Sequence, residues 1–353
     1  MISWKRIDLI DYQFPKIKDY TREFLNKETI INKDIKLEKT VTTLALSSLE
    51  SSDHKIGLGE EFIKNIKDNY NAGINLRVPK NLKIKEPIRL DFALDKDNNH
   101  LVDFNNIYVE ANSEVTLVID YKSIDISEGF HNGFTNIFAE NGSIVNIVKL
   151  QRLNSNSYNF DSNHSKVESN AQVNFVSVEL GGAVSAFNYT SILEEEVSLS
   201  NLSSIYLGDK TQKLDLEYTM IHKGVKSRSS IQTRGALLDK ARKVFRGNLD
   251  FKRGARSAKG VELESVLLLS PDVKSDSIPA LLCEEDNVEG EHAVSAGQID
   301  KSKLFYIMSR GLSEKEAKKL IVESSFKPII DQIPFEDLKL EVNDNIERRL
   351  ING

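Results

Sequence analysis

The residues best suited to chemistry lie within ten consecutive positions, CEEDNVEGEH, near the end of the chain. The titratable residues in this segment are Cys283, Glu284, Glu285, Asp286, Glu289, Glu291 and His292. Imidazole and carboxylate groups suit iron, and a thiolate suits iron and sulfide. A simpler interpretation is a solvated acidic turn between two short strands, with Cys283 as a small buried apolar residue. The residues alone favour this simpler interpretation.

The rest of the chain holds no recognised catalytic motif. The patterns GxxxxGK[ST], HExxH, CxxC and GxSxG are absent, so the chain is not itself a P-loop ATPase, and we expect no enzyme. A single cysteine cannot supply the four thiolates of an iron–sulfur cluster. Six histidines are scattered without metal-ligand spacing. Among them, His222 follows the run LDLEYTMI and is predicted to be a hydrogen-bonded turn residue.

Composition narrows the classes of partner. The 353 residues carry 47 basic and 53 acidic side chains, a net charge of −6, which argues against binding nucleic acid through phosphate neutralisation. One cysteine allows no internal disulfide and suits a reducing cytosol. The first residues are too polar for a signal peptide, and no apolar run approaches about 20 residues. We therefore expect a cytoplasmic protein that neither binds nor crosses a membrane.

A repeat between residues 109 and 180 predicts the elements that position the acidic segment. The blocks VEANSEVTLVID, FAENGSIVNIVKL and VESNAQVNFVSVEL place Asn112, Asn141 and Asn170 at a spacing of 29 residues, which is typical of stacked repeats. Asn tolerates the left-handed backbone of a tight bend, and Val and Ile suit a pleated surface. We predict a β-solenoid with a core of stacked aliphatic side chains. A β-sandwich of evenly spaced hairpins is the alternative.

The repeat weakens after Ser177, but strand-like segments continue to about residue 283. The run VELESVLLLS, from Val261, holds four consecutive apolar residues and is predicted to be a strand buried on both faces. We divide the chain into an N-terminal helical region (1–75), a β-helix core (76–299) and a C-terminal helical region (300–353).

The C-terminal region carries clear helix signals. Asp300 and Gly311 are predicted to cap one helix, and Ser313 with Glu316 forms a capping box for the next. Pro328 and Pro334 are predicted to break the chain. A final amphipathic helix carries Leu338, Val342, Ile346 and Leu350 at four-residue steps. We expect this helical tail to cover an open end of the sheets and to offer apolar faces to a partner.

Short motifs in the C-terminal third resemble one known family. In chain order they are VF-x-G from Val244, LLLS from Leu267, P-x-L from Pro279, an acidic bend from Asp286 to His292, G-x-I-D from Gly297 and LFY-x-x-SRG-L from Leu304. Upstream, DLEYTMIHKGVKSRSS and VPKNLKIKEPI also match. With these motifs the chain resembles the SufB/SufD family of iron–sulfur cluster assembly proteins over roughly residues 74 to 330.

The resemblance implies a right-handed parallel β-helix between two helical regions. It implies a non-catalytic scaffold subunit that pairs with a SufB-type paralogue and the SufC ATPase. SufC would dock on the C-terminal helices, and the contact residues implied are Phe305, Tyr306, Ser309, Arg310, Gly311 and Leu320. His292 occupies the position of the SufD histidine implicated in cluster assembly, so it is the candidate metal ligand, with Glu291 beside it. A transient iron–sulfur cluster would form at the interface with the partner, and this chain alone would bind none stably.

Within the family the chain looks more like SufD than SufB. SufB-type chains carry a cysteine shortly before the position of His292, whereas this chain has Glu289, Gly290 and Glu291. A homodimer is the alternative assembly. Two other functions stay open. One is a polysaccharide-active β-helix enzyme using Glu284, Glu285 and Asp286, which an aromatic content of only 8% argues against. The other is a purely structural, self-assembling solenoid.

Overall fold

The computed structural model, which describes residues 5–7, 9, 12–21, 36–38 and 57–352, is a stack of parallel β-coils. Each coil contributes one strand to each of two sheets, and eight coils follow one another in the described part of the chain. Successive coils pair in parallel and in register because Val, Ile and Phe recur at alternate positions on one side of each strand. The predicted parallel β-solenoid is confirmed.

Strands are numbered in chain order. The first sheet consists, in spatial order, of β1 (Lys36–Glu38), β2 (Ala72–Val78), β4 (His100–Val109), β6 (Phe130–Ala139), β8 (Tyr158–Val167), β10 (Val184–Leu193), β12 (Lys213–His222) and β14 (Arg242–Phe251), followed by β16 (Lys274–Ser277) and β17 (Ala280–Cys283), which both pair with β14. The second sheet consists of β3 (Ile88–Leu94), β5 (Glu114–Ser123), β7 (Ile144–Arg152), β9 (Gln172–Glu179), β11 (Leu199–Gly208), β13 (Arg228–Leu237), β15 (Ala258–Leu268) and β18 (Val288–Gln298). Only the pairing of β1 with β2 is antiparallel among these strands.

The bends between the two sheets use the residues that the repeat predicts, with one shift. Asn112 and Asn170 adopt the left-handed conformation, with φ of 58° and 56°, but in the middle block Gly142 does so in place of Asn141. Partner residues lie 30 positions apart between β4 and β6, and 28 apart between β6 and β8. The period of 29 is therefore an average, and aligning the blocks on Asn141 displaces the middle block by one residue.

Past Ser177 the ladder continues without a break, although the repeat is hard to see there. Strands β10 to β15 stay in full register with their neighbours. The prediction that the strand starting near Val261 is buried on both faces is wrong. Inward residues of β15 are buried, but Leu263 on the outer side is 42% exposed. The C-terminal helices cover other parts of this outer face but leave Leu263 exposed.

Four helices lie in the described part of the chain: α1 (Glu60–Asn69), α2 (Lys301–Met308), α3 (Glu314–Ile330) and α4 (Glu336–Asn352). Helix α1 packs Phe62 and Ile66 on the outer face of the first sheet. Most of the predicted N-terminal helical region (1–75) lies outside the described residues. Within the described ranges, none of these helices combines the length and apolar character needed to cross a bilayer.

Helices α3 and α4 cover the outer face of the second sheet, so the expectation that the tail covers an open end is wrong. Aliphatic residues on the outer side of β5 to β13 form one apolar surface there, and it is this surface that the helices bury. The predicted apolar stripe of α4 is buried against this surface and consists of Leu338, Val342, Ile346 and Leu350. The sheet residues buried with it are Val118, Val148, Val176, Val178, Ile205 and Leu207.

Ion pairs hold α4 along the solenoid. Arg152 donates to Glu341 at 2.7 Å, and Arg349 donates to Asp209 at 2.8 Å. The predicted break at Pro328 is wrong, since this residue lies inside α3. Proline removes one backbone hydrogen bond from a helix interior, and the buried Ile329 beside it keeps the last turn on the sheet.

Candidate functional site at the open end of the solenoid

The last coil, made of β16, β17 and β18, leaves one end of the solenoid uncovered. Strand β18 pairs with β15 on one side and has no strand on its other side within the described part of the chain. Nearly all of its residues are exposed. An edge strand presents backbone donors and acceptors that can pair with another chain. This edge is the surface on which the candidate residues lie.

His292 and Glu291 both lie in β18 but project to opposite faces of the sheet. His292 pairs in register with the buried Glu262 of β15, so its side chain points towards the lumen of the solenoid. Glu291 pairs with Val261, whose side chain points outward. Successive residues of a strand alternate between faces, so these two neighbours do not share a site on one face.

The acidic turn before β18 is held by contacts to the previous coil. Lys252 Nζ donates to Glu284 at 2.8 Å, and the Gly254 amide donates to Glu285 at 3.0 Å. These hydrogen bonds lower the pKa of both carboxyls. The turn is solvated, as the simpler interpretation expected. The other half of that interpretation is wrong, because Cys283 is exposed rather than buried. It ends β17 in the last coil, where no further coil covers it.

No group of three or more His, Cys, Asp or Glu side chains in the described ranges is arranged to hold a metal ion. His222, by contrast, is an internal residue. Its two ring nitrogens lie 2.8 Å from the hydroxyls of Ser227 and Ser229, and its ring stacks on Phe251. Burial lowers the pKa of His222 to about 4, so it is neutral. The predicted hydrogen-bonded role of His222 is confirmed.

Helix α2 follows β18 directly and forms the second candidate surface. Asp300 caps it by accepting from the amides of Ser302 and Lys303, and Gly311 ends this segment with a φ of 98°. The capping box of Ser313 and Glu316 starts α3, and the predicted N-cap at Asp300 is confirmed. The predicted cap at Gly311 is wrong, because α2 ends at Met308 with Ser309 as its C-cap.

No residue of α2 is buried. Phe305 is 74% exposed and Tyr306 58% exposed, and Leu320 of the next helix is 44% exposed. The Arg310 guanidinium lies 5.2 Å from the centre of the Tyr306 ring, and the Ser309 hydroxyl donates to the Tyr306 carbonyl. Exposed apolar surface of this kind is typical of a protein interface.

The lumen holds a charged network that the sequence analysis did not anticipate. Lys149 Nζ donates to both oxygens of Asp161, at 2.8 and 2.7 Å, and also to Thr135 and Asn163. These side chains are buried where the prediction expected stacked aliphatic residues. The alternation of side chains along β7 could have predicted this burial, since Lys149 falls on the same face as the buried Val145 and Ile147.

A second part of this network joins His131 to Asp103. His131 Nε2 lies 2.6 Å from Asp103 Oδ1, and its Nδ1 lies 2.6 Å from Asn159 Oδ1. Burial acts to lower the pKa of His131, but the Asp103 and Asp161 carboxylates and the hydrogen bonds to Asp103 and Asn159 together raise it. Tyr121 donates to the other Asp103 oxygen at 2.9 Å. The lumen of these coils therefore carries paired charges beside its apolar core.

Comparison with known proteins agrees with this architecture. Residues 92–325 match the family model for the SufBD core domain of the SUF system for FeS cluster assembly. The chain is 25% identical over 282 residues to the iron–sulfur cluster assembly protein SufD of Bacillus subtilis, covering 79% of this chain and 64% of that protein. It is 28% identical over 285 residues to a SufBD family protein of Pyrococcus horikoshii, covering 80% of this chain and 63% of the relative.

The SufB protein of Bacillus subtilis is also similar, with 25% identity over 268 residues, 76% of this chain and 58% of that protein. The chain thus spans about three-fifths of the length of these relatives. The family model covers well over half of the chain, and the resemblance noted in the sequence is confirmed. The chain belongs to the SufBD family of SUF-system iron–sulfur cluster assembly proteins.

Proposed function

We propose that this chain is a non-catalytic scaffold subunit that pairs with a SufB-type paralogue through the open end of its solenoid. A SufC-type ATPase would dock on its C-terminal helices. The nascent iron–sulfur cluster is the cargo of this assembly and would form transiently at the seam between the paralogues. The observation that carries the proposal is the exposed terminal strand β18, with His292 on it, in a member of this family.

The open end supports the pairing. A paralogue with the same parallel coils could add its own strand to the free edge of β18, and backbone hydrogen bonds would then continue across the seam. His292 would lie at that seam and could supply a nitrogen ligand. Cys283 is the chain's single cysteine, so the remaining sulfur ligands would come from the partner. This division of ligands makes the chain a SufD-type rather than a SufB-type subunit.

The surface of α2 supports the docking of the ATPase. Phe305 and Tyr306 project into solvent, as does Leu320 of the following helix, and Arg310 adds a positive charge beside Tyr306. Aromatic and arginine side chains dominate the binding energy of protein interfaces. Because α2 follows β18 directly, movement of a docked ATPase could be transmitted to the seam. The exposed, unpaired Cys283 suits the reducing cytosol in which we place this assembly.

Size-exclusion chromatography of the full chain with a SufC-type ATPase, with and without a SufB-type paralogue, tests this function. The wild-type chain should co-elute with both. A Phe305→Ser, Tyr306→Ser double variant should weaken ATPase binding by roughly 30-fold or more, since truncation of central aromatic residues typically costs at least about 2 kcal/mol.

Leu340→Ser provides the matched control. Leu340 is an exposed apolar residue of α4, outside the α2 surface, so this change should leave ATPase binding intact. The proposal is wrong if the wild-type chain associates with neither protein. The docking surface is wrong if the double variant binds the ATPase as tightly as the wild type does.

A further inference from the structure

A chain of hydrogen-bonded side chains crosses the lumen in the middle coils. It starts at Asp103 of β4 and ends on the opposite sheet at Glu179 of β9, and between them it passes through His131, Asn159 and Ser185 on β6, β8 and β10. Asn159 Nδ2 donates to the Ser185 hydroxyl at 2.9 Å, and this hydroxyl donates to Glu179 Oε2 at 3.0 Å. Each of the five residues is at most 1% exposed, so the chain lies away from solvent.

The contacts at the Glu179 end accommodate a protonated carboxyl group. The Ser185 hydroxyl accepts from Asn159 and from Gln151 Nε2, at 2.9 and 3.1 Å, so its own hydrogen points to Glu179 Oε2. The Ser177 hydroxyl lies 2.9 Å from the other Glu179 oxygen. A hydroxyl accepts as well as donates, so Ser177 can receive a proton that Glu179 carries.

The cation that faces Glu179 is already used by other groups. The ammonium group of Lys149 has three N–H donors, and these serve Asp161, Thr135 and Asn163 at 2.7–3.0 Å. The charged or titratable groups facing Glu179 in the described part of the lumen are Asp161 of β8, Lys149 of β7, Tyr206 of β11 and Tyr218 of β12. An ionised Glu179 would therefore be a second buried negative charge beside Asp161, which is costly.

We propose that Glu179 is a pH-sensitive switch in the lumen: it holds a proton while the middle coils are closed, and loss of that proton loosens them. Burial and the Asp161 charge raise the pKa of Glu179 from 4.5 to about 7, against the hydrogen bonds of Ser177 and Ser185 and the Lys149 charge. The folded chain thus keeps a proton that the unfolded chain releases. The stability that this proton gives is complete below about pH 4.5, is lost as the pH rises to about 7, and changes little above that.

Urea unfolding of the full chain from about pH 5 to about pH 8 tests the switch. Over this range the unfolding equilibrium constant of the wild-type chain should rise roughly tenfold or more relative to that of Glu179→Gln, because the amide cannot ionise. Glu196→Gln is the matched control. It removes an exposed carboxylate from the turn after β10 and should follow the wild-type pH profile.

Infrared spectroscopy of the folded chain detects the proton without unfolding the protein. A protonated carboxyl group absorbs separately from a carboxylate, and the wild-type chain should lose such a band as the pH rises through about 7. Ser185→Ala removes a donor that stabilises the carboxylate form of Glu179, so it should move this loss to higher pH.

The same pH profile of unfolding in the wild-type chain and in Glu179→Gln would overturn the proposal, since Glu179 would then be ionised throughout. So would a band that disappears in Ser185→Ala at the same pH as in the wild type or at a lower one. The second measurement decides the question even if Glu179→Gln fails to fold. Neither depends on a partner protein, so the result is independent of the scaffold function.

Discussion

Replacing Lys149 by methionine is expected to lower the free energy of unfolding by about 3–5 kcal/mol, the usual cost of removing one partner of a buried ion pair. Lys149 contacts Asp161 through both carboxylate oxygens, and both side chains are buried in the lumen. Methionine fills a similar volume, so the loss comes mainly from the uncompensated Asp161 charge. Urea titration followed by circular dichroism measures the change.

Two further variants separate this charge effect from packing. Lys149→Met combined with Asp161→Leu removes both charges and should recover much of the lost stability, because a buried pair can often be replaced by apolar residues at little cost. Lys318→Met is the surface control. Its pair with Glu314 is exposed, and its loss should cost less than about 1 kcal/mol. A single Lys149 variant as stable as this control would contradict the account.

Replacing His292 by alanine is expected to reduce cluster formation by roughly tenfold or more, the scale of effect found when groups that tune a metal site are removed. Folding should change little, because His292 is exposed on the terminal strand. Anaerobic reconstitution of the assembled complex with iron and sulfide, followed by the visible absorption of the cluster, gives the rate.

Glu291→Gln is the control for the reconstitution assay on His292→Ala. Glu291 lies next to His292 in the chain, but its side chain points to the outer face of β18. Glu291→Gln should therefore leave assembly unchanged. If it slowed assembly as much as His292→Ala does, the effect would not be specific to the imidazole. Unchanged assembly in His292→Ala would remove this imidazole from the seam.

The repeat made the solenoid predictable because stacked coils need similar lengths. Each strand must lie in register on the next, so Asn112 and Asn170 recur at nearly constant spacing. Turn lengths can vary by a residue or two without disturbing the ladder, which is why the block at Asn141 is misaligned. Side-chain identity is freer still, and the pattern therefore fades after Ser177 although the strands continue.

Other features depended on contacts that no local pattern reveals. The apolar stripe of α4 was visible, but not that it packs on the side of the solenoid rather than on its end. Lys149 and Asp161 look like surface residues in isolation, and only their pairing across the lumen makes their burial tolerable. Cys283 was expected to be buried because free cysteine usually behaves as a small apolar residue, but its strand belongs to the last coil.

Backbone hydrogen exchange along residues 288–298, with and without a SufB-type paralogue, tests the central claim most directly. In the isolated chain strand β18 has one free edge, and the backbone amides that point to this edge should exchange rapidly with solvent. They should become strongly protected when the paralogue binds. Protection should also extend to the residues around His292. A stable complex in which these amides exchange as fast as in the isolated chain would contradict the account, since the partner would then sit elsewhere.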